Sequence, residues 1–224
     1  MRQLQGRPML GHIIDRVATA GIIDQVVVAT STTSADEPVV AYCDSVGVAS
    51  FRGSEEDVLD RFYQCAMFHH AGTIVRITAD DPLKDPVVIS RIVEVFHANE
   101  SLEYASNTII PTFPEGLDVE VFSKALLEMA WTNATSNFER EHVTPYMIKR
   151  GRGTLNVANP KDLSQMRWTV DTPEDFQFVE RVYAELYEPG KIFLMEDVLS
   201  LLERNPSIAT VNSDVQRSHR YRSN

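Results

Sequence analysis

Apolar positions in the first hundred residues alternate between two spacings. Helical spacing recurs over 8–20, where Met9, Ile13 or Ile14 and Val17 share a face, over 37–46, and over 55–70, where Val58, Phe62, Cys65 and Ala66 align. It returns over 86–98, opened by Asp85 as N-cap and Pro86 in the first turn. Between these stand short apolar runs, QVVVA at 25–29, a segment at 48–51 and TIVRIT at 73–78, which predict buried strands. Strands separated by crossover helices predict a single α/β domain over 1–224, with a mostly parallel sheet flanked by helices.

After Ser101 the rhythm changes. Strands are expected over 104–109 and 117–122, and helices over 124–131 and 139–149. A core strand over 167–170 then leads into a helix over 173–187. Residues 102–165 therefore read as an insertion or lid on the α/β core. The beginning is unusual. No strand and no Gly-rich loop precedes Pro8, and neither G-x-G-x-x-G nor a Walker A motif occurs. Either the fold begins unusually, or its opening strand and loop are absent from this chain.

Composition narrows the function classes. The chain has 224 residues, 43% hydrophobic and 24% charged, enough for one domain with a sizeable core. No apolar run approaches the roughly 20 residues that span a bilayer, and residues 1–6 lack a secretory stretch. Cys43 and Cys65 suit reduced thiols in the cytoplasm. A formal charge of −11 argues against nucleic-acid binding but leaves room for an anionic substrate in a locally basic pocket. The basic residues Arg217, His219, Arg220 and Arg222 read as a solvated tail.

Five segments carry candidate chemistry. In Arg76-Ile77-Thr78-Ala79-Asp80-Asp81-Pro82, Asp80 follows a buried strand directly, at the sheet edge where α/β folds bind ligands. A carboxylate there suits Mg²⁺, which takes one or two protein carboxylates plus substrate phosphates. In Arg167-Trp168-Thr169-Val170-Asp171-Thr172-Pro173-Glu174-Asp175, Thr172 and Asp175 form a capping pattern that leaves Asp171 available at a strand end. In the segment 51–61, Ser54 with Asp57 reads as a cap and Asp57 with Arg61 as an i,i+4 pair. Arg52, Gly53 and Ser54 alternatively form a polar loop suited to a base or phosphate. Asp118 and Glu120 share one face of a strand, suited to sugar hydroxyls or else to solvent at a sheet edge. His142 is a candidate base or a structural histidine, and Arg140 a candidate partner for a carboxylate or phosphate.

Taken together, these segments resemble the acylneuraminate/KDO cytidylyltransferase superfamily, in particular its spore-coat polysaccharide branch. The phrases that carry the likeness are Arg7-Pro8-Met9-Leu10, Val27-Val28-Ala29-Thr30-Ser31, FRGSEEDVLDRF (51–62), VRITADDPLKDP (75–86), YASN (104–107), EGLDVEVF (115–122), REHVTPY (140–146) and RWTVDTPEDF (167–176). The resemblance implies a Rossmann-like nucleotide-diphospho-sugar transferase fold, and transfer of CMP from CTP to a sugar acid for a surface polysaccharide. It implies Mg²⁺ on Asp80 and Asp171, the nucleotide near Arg52, Ser54 and Arg76, and the sugar near Asn107, Asp118, Glu120, Arg140 and His142. A homodimer built on the insertion is also implied.

Two departures stand out. The family's Gly-Asp-Cys-Pro-Leu becomes Ala79-Asp80-Asp81-Pro82-Leu83, an added charge beside the expected metal ligand. The family's opening strand and phosphate loop have no counterpart before Met1. The alternative expectation is therefore a non-catalytic relative that keeps the fold and the sugar pocket.

Overall fold

The computed structural model describes residues 1–150 and 152–216; the basic residues from Arg217 onward lie outside them. A two-residue hairpin, β1 (Gln3–Leu4) and β2 (Arg7–Pro8), leads into α1 (Met9–Ala18). Strand β3 (Val27–Ser31), helix α2 (Glu37–Val46) and strand β4 (Ala49–Gly53) follow, with β3 and β4 parallel. Helix α3 (Val58–Phe68) leads to β5 (Thr73–Arg76) and α4 (Pro86–His97). Helix α4 starts as its sequence requires: Asp85 accepts the amides of Val87 and Val88 at 2.7 and 3.2 Å, and Pro86 occupies the first turn.

The insertion supplies β6 (Tyr104–Ser106), β7 (Glu120–Ser123), α5 (Lys124–Asn133), α6 (Asn137–His142), α7 (Pro145–Arg150) and β8 (Thr154–Asn156). The helix expected over 139–149 is thus two. Val143 has φ 70° and ψ −56°, and the Thr144 amide donates to the His142 carbonyl at 2.8 Å. That is a γ-turn, and Pro145 then opens the second helix. The chain closes with α8 (Pro173–Leu186), α9 (Met195–Arg204) and α10 (Pro206–Ala209). The last two and β8 go beyond the sequence expectation, and β1 corrects the expectation that no strand precedes Pro8: Gln5 and Gly6, both at positive φ, turn the chain back on itself.

The strands form an α/β fold, but their ladders differ from a simple parallel sheet. β5, β7, β6 and β8 lie in that order, and β7 runs antiparallel to both neighbours while β6 and β8 are parallel. The insertion strand β7 is therefore interior. The expected strand over 167–170 is an extended segment joined by a single bridge, Glu115 to Arg167. Sheet β3–β4 is not hydrogen-bonded to the four-stranded sheet.

Alternation along β7 divides the core. Val121 faces α1, α4 and α8, where Ile13, Ile89, Ile92, Phe178 and Val182 are buried. Phe122 faces α3, α5 and α7, against Leu59, Leu126, Leu127 and Met147. A smaller cluster of Leu10, Ile14 and Cys43 packs α1 and α2 on β3.

Candidate active site

Asp80 stands in the turn after β5. Its backbone carbonyl accepts the Val170 amide at 2.9 Å, so the fold brings the segment ending at Asp171 alongside Asp80. The same stretch is also approached closely by Gly116. It has φ +105°, and a Cβ there would lie 2.7 Å from the Thr169 nitrogen. Buried Asp80 Oδ1 has no hydrogen-bond partner. Burial, and then the charge of Asp81, push the Asp80 carboxyl above its ordinary range. A buried oxygen without a donor fits a cation. Among the described residues no group of three or more His, Cys, Asp or Glu is assembled to hold a metal. Any metal here would draw its remaining ligands from substrate and water, as Mg²⁺ does.

The added charge at Asp81 is answered internally. Lys84 Nζ lies 2.8 Å from its carboxylate, and both side chains are buried. The same ammonium donates to the Asp118 carbonyl at 2.5 Å, and Thr78 Oγ1 donates to Asp81 at 2.7 Å. Asp118 is thus tied to the Asp80 turn through its backbone.

Asp171 is held by a residue the sequence reading did not single out. Arg167, nearly fully buried, donates to Asp175 through two nitrogens at 2.9 Å, to Glu115 at 2.9 Å and to Asp171 at 2.5 Å. Burial alone would raise the Asp175 carboxyl, but Arg167 and Asn212 outweigh it and hold it below the usual range. Asp175 and Thr172 form the expected capping box. Local spacing gave no signal for it, because Glu115 joins Asp171 and Asp175 only on folding, where three carboxylates together need a cation.

On the nucleotide side, Arg52 is occupied within the protein. It donates to the Ser31 and Thr33 carbonyls at 3.0 and 2.9 Å and to Glu37 at 2.6 Å. Ser54 Oγ accepts the Asp57 amide at 2.9 Å, and α3 begins only after Asp57, which itself caps Asp60 at 2.9 Å. The expected Asp57–Arg61 pair does not form. Arg61 donates to the Ser54 carbonyl at 2.8 Å, and Asp57 is gripped by Arg140 through two nitrogens. Arg76 is paired with Glu120, and both are buried. The Nε atoms of Arg61 and Arg76 are buried without partners.

On the expected sugar side, Asn107 is buried. It spends both ends of its amide on the backbone, donating to Leu117 and accepting from Val119 at 2.8 Å each. Glu120, expected on a ligand-facing or solvent edge, lies in the interior strand and is only 2% exposed. Arg140 also donates to the Trp131 carbonyl at 2.7 Å. The His142 ring packs edge-on against Phe138, 4.6 Å between centroids. A separate cavity of about 330 Å³, lined in part by Arg7, Asp15, Tyr187 and Phe193, includes none of these residues.

Known proteins resemble this chain in sequence and fold. Over 225 residues the chain is 36% identical to an uncharacterised protein of Methanocaldococcus jannaschii, covering 97% of this chain and 89% of that one. It is 30% identical over 219 residues to the spore coat polysaccharide biosynthesis protein SpsF of Bacillus subtilis, covering 94% and 89% respectively. A solved cytidylyltransferase from Leptospira borgpetersenii superposes with a TM-score of 0.89 at 28% identity, over 97% of this chain and 90% of that one. The sequence profile of the cytidylyltransferase family matches residues 1–204, and the chain belongs to that family of nucleotidyltransferases.

Proposed function

We propose that the protein transfers CMP from CTP to a sugar acid, with release of pyrophosphate, in the synthesis of a surface polysaccharide. The observation that carries this reading is the buried, partnerless oxygen of Asp80, set beside the Asp171 segment at the carboxyl end of β5. Membership of the cytidylyltransferase family and similarity to a polysaccharide biosynthesis protein support the reaction class. A divalent cation held by Asp80 and Asp171, Mg²⁺ in this reading, would neutralise charge on the phosphates as the acceptor hydroxyl attacks in line. The chain's own contribution is positioning. Arg167 and Lys84 fix the two carboxylate-bearing turns, so that no rearrangement is needed when substrate arrives.

The family resemblance assigns Arg52, Ser54 and Arg76 to the nucleotide side, and Asn107, Asp118, Glu120, Arg140 and His142 to the acceptor side. Leu155 of the edge strand β8 and Ile110, whose amide donates to Asn156 of that strand, are exposed apolar residues, which supports a homodimer formed through the 102–165 insertion. Two unpaired cysteines support a cytoplasmic setting.

Pyrophosphate release with CTP, Mg²⁺ and a panel of sugar acids is the direct test. We expect turnover with at least one sugar acid, lowered at least a hundredfold in Asp80→Asn. The second reading, a relative that binds without turnover, is favoured by the internal engagement of Arg52. It wins if CTP binds and no acceptor in the panel yields pyrophosphate.

A further inference from the structure

The acceptor-side assignment of Glu120 conflicts with its surroundings. In β7 it stands directly opposite Arg76 of β5 in the antiparallel register. Its Oε2 is paired with an Arg76 terminal nitrogen. Its Oε1 accepts the Tyr104 hydroxyl at 2.8 Å and the Thr144 hydroxyl at 2.6 Å. A sugar hydroxyl would have to displace these bonds inside the protein, where each lost partner leaves a buried polar group unpaired.

The backbone is arranged for this contact. Thr144 reaches Glu120 because Val143 takes a positive-φ γ-turn, a strained conformation for a β-branched residue. Val143 is itself fully buried in the second core beside Met147 and Leu127, which holds the turn in place. Strain kept in a buried turn that delivers one hydroxyl to one carboxylate points to a fixed geometry around that carboxylate.

What the carboxylate fixes is Arg76. Glu120 holds one pole of the guanidinium, whose carbon lies 5.8 Å from the centre of the Phe62 ring. The Arg76 Nε is buried and unpartnered. Arg61 on α3 is near enough for the two cations to repel. Burial chiefly, and Arg76 in addition, lower the Arg61 guanidinium from its ordinary range, while Asp36 and Glu55 oppose this. Without Glu120, nothing in β5 or β7 would hold Arg76 against that repulsion.

We propose that Glu120 is a positioning residue for the nucleotide side of the site, acting through Arg76, and not a ligand of the acceptor. This rests on the transferase reading above. The test measures CTP binding by calorimetry and acceptor KM for wild type, Glu120→Gln, Arg76→Gln and the double variant. Loss of one charge-assisted pair should weaken CTP binding roughly tenfold in Glu120→Gln. The double variant should bind no worse than Arg76→Gln alone, because the carboxylate acts only through the guanidinium. Acceptor KM should stay within about twofold, since only the charge-assisted pair on the nucleotide side is removed. A raised acceptor KM with unchanged CTP affinity overturns the proposal, as do additive losses in the double variant. If Glu120→Gln does not fold, Thr144→Val carries the test. It removes one support of the carboxylate without exposing a charge, and should weaken CTP binding about two- to threefold. Unchanged CTP affinity in a folded Thr144→Val would also overturn the proposal. Wild type that binds no CTP would overturn the transferase reading itself, and this inference with it.

Discussion

At Asp80 a carboxylate oxygen is buried with no donor, a condition that lowers stability in the unliganded fold. Its folded-state carboxyl titrates above the ordinary range, so the penalty is absent below the unfolded value, grows as pH rises between the two, and is complete above the folded one. Asp80→Asn removes the charge and keeps the shape. At neutral pH we expect it to melt roughly 2–4 °C above wild type, the size of a 1 kcal/mol change in a chain of this length. The difference should shrink toward pH 4, and millimolar Mg²⁺ should raise the melting temperature of wild type only. Equal differences at both pH values, or an equal Mg²⁺ effect on both proteins, would contradict the assignment. Asp171 is the opposite case: it is half-exposed and already paired to Arg167. The two aspartates thus have different electrostatic surroundings, which their similar strand-end positions in the sequence did not reveal.

Elements of the insertion are fastened to the nucleotide side by side chains expected elsewhere. Arg140 leaves α6 to grip Asp57, the residue that caps α3, while Tyr63 stacks on Trp131 with centroids 4.2 Å apart. Asp60 accepts the Trp131 indole N–H at 2.8 Å. These contacts tie helices α3, α5 and α6 together. The Arg140–Asp57 pair is partly exposed, so Arg140→Ala should cost only about 1 kcal/mol in denaturant unfolding. Its larger effect should be local, with amides 53–60 exchanging faster in hydrogen exchange while those of α4 are unchanged. Unchanged exchange at 53–60 would mean that the pair does not brace this loop. The sequence suggested Asp57–Arg61 from i,i+4 spacing. The tertiary partner took its place: Arg61 turns back to the Ser54 carbonyl, and Arg140 reaches both oxygens of the Asp57 carboxylate.

Across the whole molecule, the unjoined sheets set the expected hierarchy of stability. Both large clusters centre on the four-stranded sheet, whereas β3 and β4 rest on a small cluster of three buried residues. Apart from Thr30 and Ser31, every residue of β3 and β4 is partly exposed. Amides of β3 that bond to β4 should therefore exchange well before those of β6 and β7, and CTP should narrow the gap if the nucleotide bridges the two sheets. Equal protection without ligand would show a single cooperative unit instead.

How far the sequence reached depends on the range of the interactions concerned. Helix starts at Asp85 and Thr172 were legible because capping is local: an oxygen meets an amide two or three residues on. The α/β class and the cytidylyltransferase family were also legible, through apolar periodicity and eight phrases in order. Contacts far apart in the chain were not. The interior place of β7, the pairing of Glu120 with Arg76, the break at Val143 and the Arg167 cluster depend on residues brought together only by folding. By itself the sequence placed Asp80 and Asp171 at the ends of extended segments. Only the tertiary structure set those segments side by side, through the hydrogen bond from the Val170 amide to the Asp80 carbonyl. It also decided which charges are neutralised, because in a buried site that depends on which opposite charge lies within a few ångströms and not on separation along the chain.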